Sequence, residues 1–521
     1  MKELTFHRWY LPWVERWPDE LGYADIGGGS STYGQHTERV FQLASALNKQ
    51  LGIQPDDRVA VLALNSRPFM ELYHAAYLGG CVTNPLNLRF AAKELEFVLR
   101  DSGTKVVFVD FLFAGAIDQI RAAAGVEQVV LIGDPMGDAP HDVRYEDLVA
   151  AGDNVEPAEP EEDDPCLLMY TGGTTGTPKG VVCTQRAEIL NGWHARALLP
   201  LESGHVALLQ TPMFHAASMG FVVNPQQGPA PVQILPMFDP GKANDAVETY
   251  GVTVTVAVPT MIQMMLNHPE FRPERWASMQ HLVYGASPMP TALLQRIQSL
   301  FPELNLAQGY GMTESSALLT GLSPDDHRDG GDLLRSAGRA LPGIRLSIQD
   351  PDGNRLPTGQ TGEVCAQGGN FMTGYWNRPE QTEEAFRGGW YHSGDAGYLD
   401  ERGYLFLVDR VKDMIVTGGE NVYCAEVENA VGSHPAVAQV AVIGIPSQEW
   451  GEAVHAIVVL NEGASATEDD LIAHARQSIA GYKIPKSVEF RTEPLPLSGA
   501  MKVLKRELRA PYWEGHERSV G

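Results

Sequence analysis

The sequence predicts an α/β fold: a large N-terminal domain of mainly parallel, helix-covered sheets with a small β-rich subdomain, followed by an α+β C-terminal domain. Three observations carry that expectation. The chain has 521 residues, too many for one ordinary core, so two or more domains are needed. Over the first 300 residues apolar strands alternate with helical patterns, which is how parallel sheets covered by helices read. From about Gly343 the alternation gives way to strands with tight turns, and from Asp409 to a compact region of about 100 residues.

Taken in order, strands are expected at 58–64, 105–110 and 128–133, with amphipathic helices at 67–80 and 91–103. Further strands follow at 205–210, 232–236, 252–258, 281–287 and 304–308. The run 252–258 is β-branched and almost continuous, as a strand buried on both faces should be. Strands at 344–350 and 362–367, with Asp352-Gly353 between them, make the β-rich unit. In the tail, a helix at 424–432 precedes a strand at 437–443, and a strand at 455–460 precedes a helix at 469–480. The acidic run 157–164 (PAEPEEDD) reads as a solvated loop.

Composition narrows the function classes. Hydrophobic residues make up 44% and charged residues 20%, the range of globular chains. A net charge of −26 repels nucleic-acid phosphate and argues against docking on anionic lipid by bulk charge. The five cysteines (Cys81, Cys166, Cys183, Cys365, Cys424) are scattered, with no C-x-x-C pair, so a structural metal has little support. The N-terminus is charged throughout, without the apolar core of a signal peptide. No run of about 18 apolar residues suggests a membrane span. A cytoplasmic monomer or homodimer is expected, with peripheral membrane contact left open.

The most informative stretch is 166–182, CLLMYTGGTTGTPKGVV. An apolar strand runs into Thr171, Gly172, Gly173, Thr174, Thr175, Gly176, Thr177, Pro178, Lys179 and Gly180. Glycines let backbone amides close around a polyphosphate, threonine hydroxyls add donors, and Lys179 adds a point charge. Pro178 and Gly180 disfavour an immediate helix start, so this is not a Gly-Lys-Ser/Thr loop opening a helix.

The string YTGGTTGTPKGV resembles the signature of the adenylate-forming superfamily, which holds acyl- and aryl-CoA synthetases, firefly luciferase and peptide-synthetase adenylation domains. Four further segments resemble that family in its chain order. In QGYGMTE (308–314), the resemblance makes Gln308, Gly309, Tyr310, Gly311 and Met312 neighbours of the adenylate. Thr313 becomes a phosphate contact and Glu314 a Mg²⁺-associated carboxylate, with Thr174 a second metal-side oxygen; one carboxylate is chemically enough for Mg²⁺. In GWYHSGDAG (389–397), Asp395 resembles the carboxylate that accepts both ribose hydroxyls. In DRVKDMIVTGGENVY (409–423), Arg410 resembles a ribose and phosphate contact and Lys412 the domain hinge. Gly418, Gly419 and Glu420 resemble the CoA-side loop. In LPLSGAMKVLKREL (495–508), Lys502 takes the place of the adenylation lysine, but Met501 stands where glycine is usual. Methionine there implies strain if the backbone is left-handed.

On the acyl side, PMFHAASM (212–219) resembles the mouth of the acid pocket. His215 falls near the reacting carboxylate, and Ala216, Ala217, Gly220, Gly309 and Gly311 leave room for a tail. The run Tyr284-Gly285-Ala286-Ser287-Pro288 resembles the nucleotide-side segment, usually two glycines before Ala-Pro. Tyr284 stands where the first of those glycines is common and is expected to narrow the acyl pocket. Between Tyr482 and Arg509 seven bases face three acids, a basic patch suited to ATP and CoA phosphates.

The implied reaction has two halves, with no protein nucleophile. The acid's carboxylate attacks the α-phosphorus of MgATP to give acyl-AMP and pyrophosphate, and the CoA thiol then displaces AMP. The expected division is residues 1–410 for the ATP and acid site and residues 411–521 for a mobile small domain. That domain presents Lys502 first and the Gly418–Gly419 loop second. A medium- or long-chain fatty acid is the first expectation for the substrate, then aryl acids (cinnamates, benzoates), then a steroid side-chain acid. A non-enzymatic nucleotide-binding module is the contrasting class, and the conjunction of Lys502, Glu314 and Asp395 speaks against it.

Overall fold

The computed structural model describes residues 3–133, 139–171, 178–224, 226–410, 414–417 and 420–514, without the side chains of Asp409, Arg410 and Asn421. Among them, two large sheets, one four-stranded sheet and one tail sheet form the framework. The α/β expectation is met.

The first large sheet runs in the order Arg339–Ala340, Thr320–Leu322, Asn305–Tyr310, His281–Gly285, Val254–Ala257, Ala207–Leu209, Val232–Ile234, Leu21–Asp25, Ser30–Thr32. Its central strands are parallel and its two ends are closed by antiparallel strands. The second runs Gly374–Tyr375, Lys179–Thr184, Pro165–Thr171, Val82–Pro85, Arg58–Leu62, Val106–Asp110, Gln128–Ile132, Val143–Arg144. It is parallel except at the edge where Lys179–Thr184 folds back on Pro165–Thr171. Helices cover both sheets because their strands are apolar on both faces, as at Val106–Asp110.

The expected amphipathic helix at 67–80 forms as Arg67–Tyr77, but its polar side is buried along with its apolar one. Every residue from Phe69 to Tyr77 is buried. A helix wrapped on all sides belongs in the middle of a large core, and here it lies against Tyr33–Leu51 and the Met219–Val222 turn. Its polar residues are paired. Glu71 accepts Arg39 Nε at 2.8 Å and the Tyr145 hydroxyl at 2.5 Å. His74 Nδ1 meets His36 Nε2 at 2.8 Å.

The β-rich unit is the antiparallel sheet Arg345–Gln349, Gly362–Gln367, Tyr391–Leu399, Leu405–Arg410. In the tail, Cys424–Gly432 is the expected helix, and Val437–Ser447 and Gly451–Leu460 are longer strands than the sequence implied. The helix expected at 469–480 stops at Ala475. All five cysteines are buried and unbridged. Among the described residues no helix is long and apolar enough to cross a membrane.

Candidate active site

The site lies where the C-terminal ends of parallel strands meet the β-rich sheet and the tail, the usual place for ligands in open α/β sheets. A cleft of about 3140 Å³ occupies this junction. That exceeds the roughly 300–1,000 Å³ of a single small-ligand pocket, so it has room for two reactants.

The phosphate-loop segment joins two antiparallel strands rather than opening a helix: Thr171 pairs with Lys179, and the strand continues to Thr184. Residues Gly172, Gly173, Thr174, Thr175, Gly176 and Thr177 lie outside the described residues. Lys179 Nζ sits 4.0 Å over the Tyr375 ring. The Tyr375 hydroxyl in turn donates to Glu314 Oε1 at 2.9 Å. Burial, the Glu314 charge and this hydrogen bond raise the Tyr375 phenol well above its ordinary value.

Gln308, Gly309 and Tyr310 end the strand Asn305–Tyr310, and Thr313–Ser315 is a single tight turn. The turn is pinned from the segment 370–375. Asn370 Nδ2 donates to Ser315 O and to Leu318 O, each at 2.8 Å, and Met372 N donates to Glu314 O at 2.8 Å. Gly311 cannot carry a side chain, because a Cβ would meet Ala317 O at 2.1 Å. The Tyr310 hydroxyl donates to Asp395 Oδ2 at 2.7 Å, which joins the two segments expected at the nucleotide. Asp395 pairs across the sheet with Arg410, whose side chain is not described.

Gly285 lies directly across from Gly309, and a Cβ on it would meet Gly309 O at 2.2 Å. Ala286 follows with φ +65°, a left-handed backbone that costs a non-glycine residue about 1–2 kcal/mol. Ser287 is half-buried beside it. Tyr284 is one of the residues that line the cleft, but most of its side chain belongs to the core behind it. Its ring is 1% exposed within the core formed with Leu208, Met261 and Leu294. Its hydroxyl donates to His327 Nε2 at 2.8 Å, the tautomer set by His327 Nδ1 donating to Ser323 O at 2.7 Å.

His215 caps the short turn Ala216–Ser218, its Nδ1 accepting Ala217 N–H at 3.1 Å. That bond puts the ring proton on Nε2. Burial, aided by the Lys502 ammonium, pushes the imidazole down to about 3. A neutral N–H donor beside a cation suits an incoming carboxylate. Ala216, Ala217, Gly220, Met312 and Thr313 line the same cleft.

Lys502 reaches the cleft on a hairpin tip. Met501 N donates to Ser498 O at 2.9 Å and Ser498 N to Lys502 O at 2.7 Å. This is a three-residue turn whose last residue is left-handed, the position glycine favours. Met501 occupies it at φ +61°. The tip and the tail strand Val437–Ser447 dock on the large domain. Thr260 Oγ1 donates to Met501 O at 2.7 Å, Gln263 Nε2 to Ala438 O at 2.9 Å, and Arg89 to Leu497 O. Met501 also packs against the core that contains Met261 and Tyr284.

Glu420 does not join the cleft. It is exposed on the short strand Glu420–Val422. Lys412, Gly418 and Gly419 lie outside the described residues. Sequence reasoning missed Tyr375, although the aromatic pair in TGYWNRPE was a signal: Trp376 Nε1 donates to Asp101 O at 2.9 Å. It also missed the docking residues Arg89, Thr260 and Gln263, which carry no motif.

The Glu314 carboxylate fits a hard cation. Among the described residues no lysine or arginine pairs with it, and it offers anionic oxygen at the phosphate-side wall.

Comparisons with known proteins agree with this geometry. The AMP-binding enzyme family matches residues 12–376, and the AMP-binding enzyme C-terminal domain matches residues 426–502. A feruloyl-CoA synthase from an Amycolatopsis species is 39% identical over 93% of this chain and 95% of its own. The long-chain-fatty-acid–CoA ligase FadD13 of Mycobacterium tuberculosis is 37% identical over 92% of this chain and 93% of its own. The crystal structure of ATP-bound MatB from Rhodopseudomonas palustris superposes with TM-score 0.88 at 29% identity, covering 99% of this chain and 100% of that one. The chain therefore belongs to the AMP-binding enzyme family, as an adenylate-forming acyl-CoA synthetase, an AMP-forming acid–thiol ligase.

Proposed function

We propose that this enzyme activates a monocarboxylic acid with an apolar tail, aromatic or aliphatic, and transfers it to CoA. The observation that carries this reading is the meeting of Lys502, from the tail, with His215 and the apolar walls of one cleft. The relatives named above include ligases for both kinds of acid.

In the first half-reaction the acid lies between His215 and the strand ends at Gly285 and Gly309. The His215 Nε2–H orients one carboxylate oxygen. The other oxygen attacks the α-phosphorus of ATP, and pyrophosphate leaves. Carboxylate and triphosphate repel, so the catalytic work is positioning and charge stabilisation. Lys502 supplies the positive charge at the reacting phosphoryl group, and the threonines and Lys179 of the 171–179 segment hold the phosphates. Mg²⁺, when bound at Glu314 with Thr174, adds neutralising charge on phosphate oxygens. Asp395 takes the ribose hydroxyls, and Tyr310, tethered to it, packs beside the adenine.

In the second half-reaction the CoA thiol attacks the acyl carbon and AMP leaves. Lys502 lines the cleft in the present arrangement, and in this reading the tail turns to exchange it for the CoA-side loop. Residues 1–410 and 411–521 are the two moving bodies, Lys412 is the hinge, and Gly418, Gly419 and Glu420 line the thiol route.

The test separates the halves. K502A should lose adenylate formation by on the order of a hundredfold or more while converting supplied acyl-adenylate and CoA to thioester at the normal rate. Equal loss in both halves would remove Lys502 from its assigned role. An enzyme that releases no pyrophosphate with any acid would overturn the ligase reading.

A further inference from the structure

We infer that Asn191 selects acids whose tail carries a hydroxyl group with a neighbouring hydrogen-bond acceptor, such as an oxygen-substituted aromatic ring. This rests on the ligase reading and deepens it toward substrate class.

The wall concerned is one face of the helix Gln185–Leu198. Residues 191, 195 and 198 are spaced i, i+4 and i+7, so they share a face, and all three line the cleft. The position of that face is fixed by close approaches. A Cβ on Gly220 would lie 3.7 Å from the Ala195 Cβ, and one on Gly309 would lie 3.6 Å from Leu198 Cδ1. Ala195 and Leu198 therefore wall the same space as Gly220 and Gly309, the acyl side of the cleft.

One turn further along this apolar wall stands Asn191, which is 0% exposed. Among the described residues neither its Nδ2 nor its Oδ1 has a hydrogen-bond partner. Leaving a buried carboxamide with both ends unsatisfied is costly, and folded proteins rarely tolerate it without a reason. The helix does not require asparagine there; leucine or alanine would propagate it better. A saturated hydrocarbon tail would leave the group unpaired in the complex as well. A hydroxyl can donate to Oδ1 while an adjacent ether or hydroxyl oxygen accepts from Nδ2, which satisfies both ends together.

The experiment compares matched acids within each enzyme form, so that loss of folded protein cancels. Wild type and N191L are assayed by AMP release with cinnamate, para-hydroxycinnamate and para-hydroxy-meta-methoxycinnamate. Dodecanoate and omega-hydroxydodecanoate form the aliphatic arm. Wild type is expected to favour the oxygen-bearing member in kcat/KM. N191L is expected to lower that ratio roughly 10- to 100-fold, the size of one buried polar group left unpaired, while using the bare acid as well or better. The arm with the larger change identifies the tail.

An unchanged ratio in N191L overturns the inference. So does a wild-type enzyme that prefers the bare acids while still releasing AMP, an outcome that leaves the ligase reading intact. Only the absence of AMP with every acid sinks both. N191D serves as the second variant: it keeps the volume and the acceptor but loses the donor, and should keep preference for a lone hydroxyl better than N191L does.

Discussion

At the scale of single residues, strain gathers around the cleft. The non-glycine residues with left-handed backbone are Ala286, Ser316, Ala317, Asn377 and Met501 among the described residues. Two of them, Ala286 and Met501, immediately flank expected nucleotide contacts. Such strain persists only where surrounding contacts over-determine the backbone. At Met501 those contacts are the Thr260 hydrogen bond and the apolar packing. Comparing glycine with alanine there isolates the backbone cost, since neither has the methionine contacts. M501G should form adenylate roughly five- to tenfold faster than M501A, from about 1 kcal/mol of relieved strain. Similar rates for the two in a stopped-flow pyrophosphate assay would mean that the turn does not hold a left-handed residue in solution. The sequence flagged this position because the departure from glycine was visible. It was silent on Asn191 and Tyr375, whose interest lies in what surrounds them.

At the scale of elements, the buried helix Arg67–Tyr77 carries a stability signature. Burial holds the His74 imidazole down to about 3, and burial with the His74, Arg39 and Arg67 charges holds His36 well below its usual value. The native protein keeps both neutral, whereas the unfolded chain protonates them near 6.5. Their contribution is therefore complete above pH 6.5 and is lost as the pH falls below it, by about 1.4 kcal/mol per pH unit per histidine. Other buried groups, His215 and Glu188 among them, titrate in the same range, so the readout is the difference between enzymes: in urea unfolding over about pH 7.5 to 5, H74Q should have a slope smaller than wild type by one proton's worth. A slope identical to wild type would show His74 accessible to protons in the native state. The strands expected over the first 310 residues were placed to within a few residues because buried parallel strands are continuous apolar runs, as at Val254–Ala257, whereas Leu21–Asp25 and Val82–Pro85 were not expected at all. The burial of Arg67–Tyr77 was not, because Arg67, Glu71 and His74 give it the look of a surface helix until their partners from distant segments are known.

At the scale of the whole molecule, the tail meets the body through contacts far apart in sequence. Arg89 and Leu497 are separated by 408 residues, and nothing in either stretch announces the other. These contacts belong to the arrangement that presents Lys502. R89A and Q263A should therefore slow adenylate formation about 3- to 10-fold, one hydrogen bond each, and leave thioester formation from supplied acyl-adenylate unchanged. Equal slowing of both steps would mean that the contacts hold the fold rather than one arrangement of it.

The packing of the cysteines has a consequence for chemoselectivity. An acyl-adenylate is a strong electrophile, and Cys183 lies just beneath the site, its Sγ 4.0 Å from Thr313 O. Burial raises the thiols of Cys166 and Cys183 well above their ordinary value, and pushes those of Cys81 and Cys365 up to about 12. Thiolate is the attacking form, so these four sulfurs, Cys183 beneath the site among them, are held in the form that does not attack the activated acid. The mixed anhydride can then wait for an external thiol without being consumed by Cys183, the cysteine beneath the site.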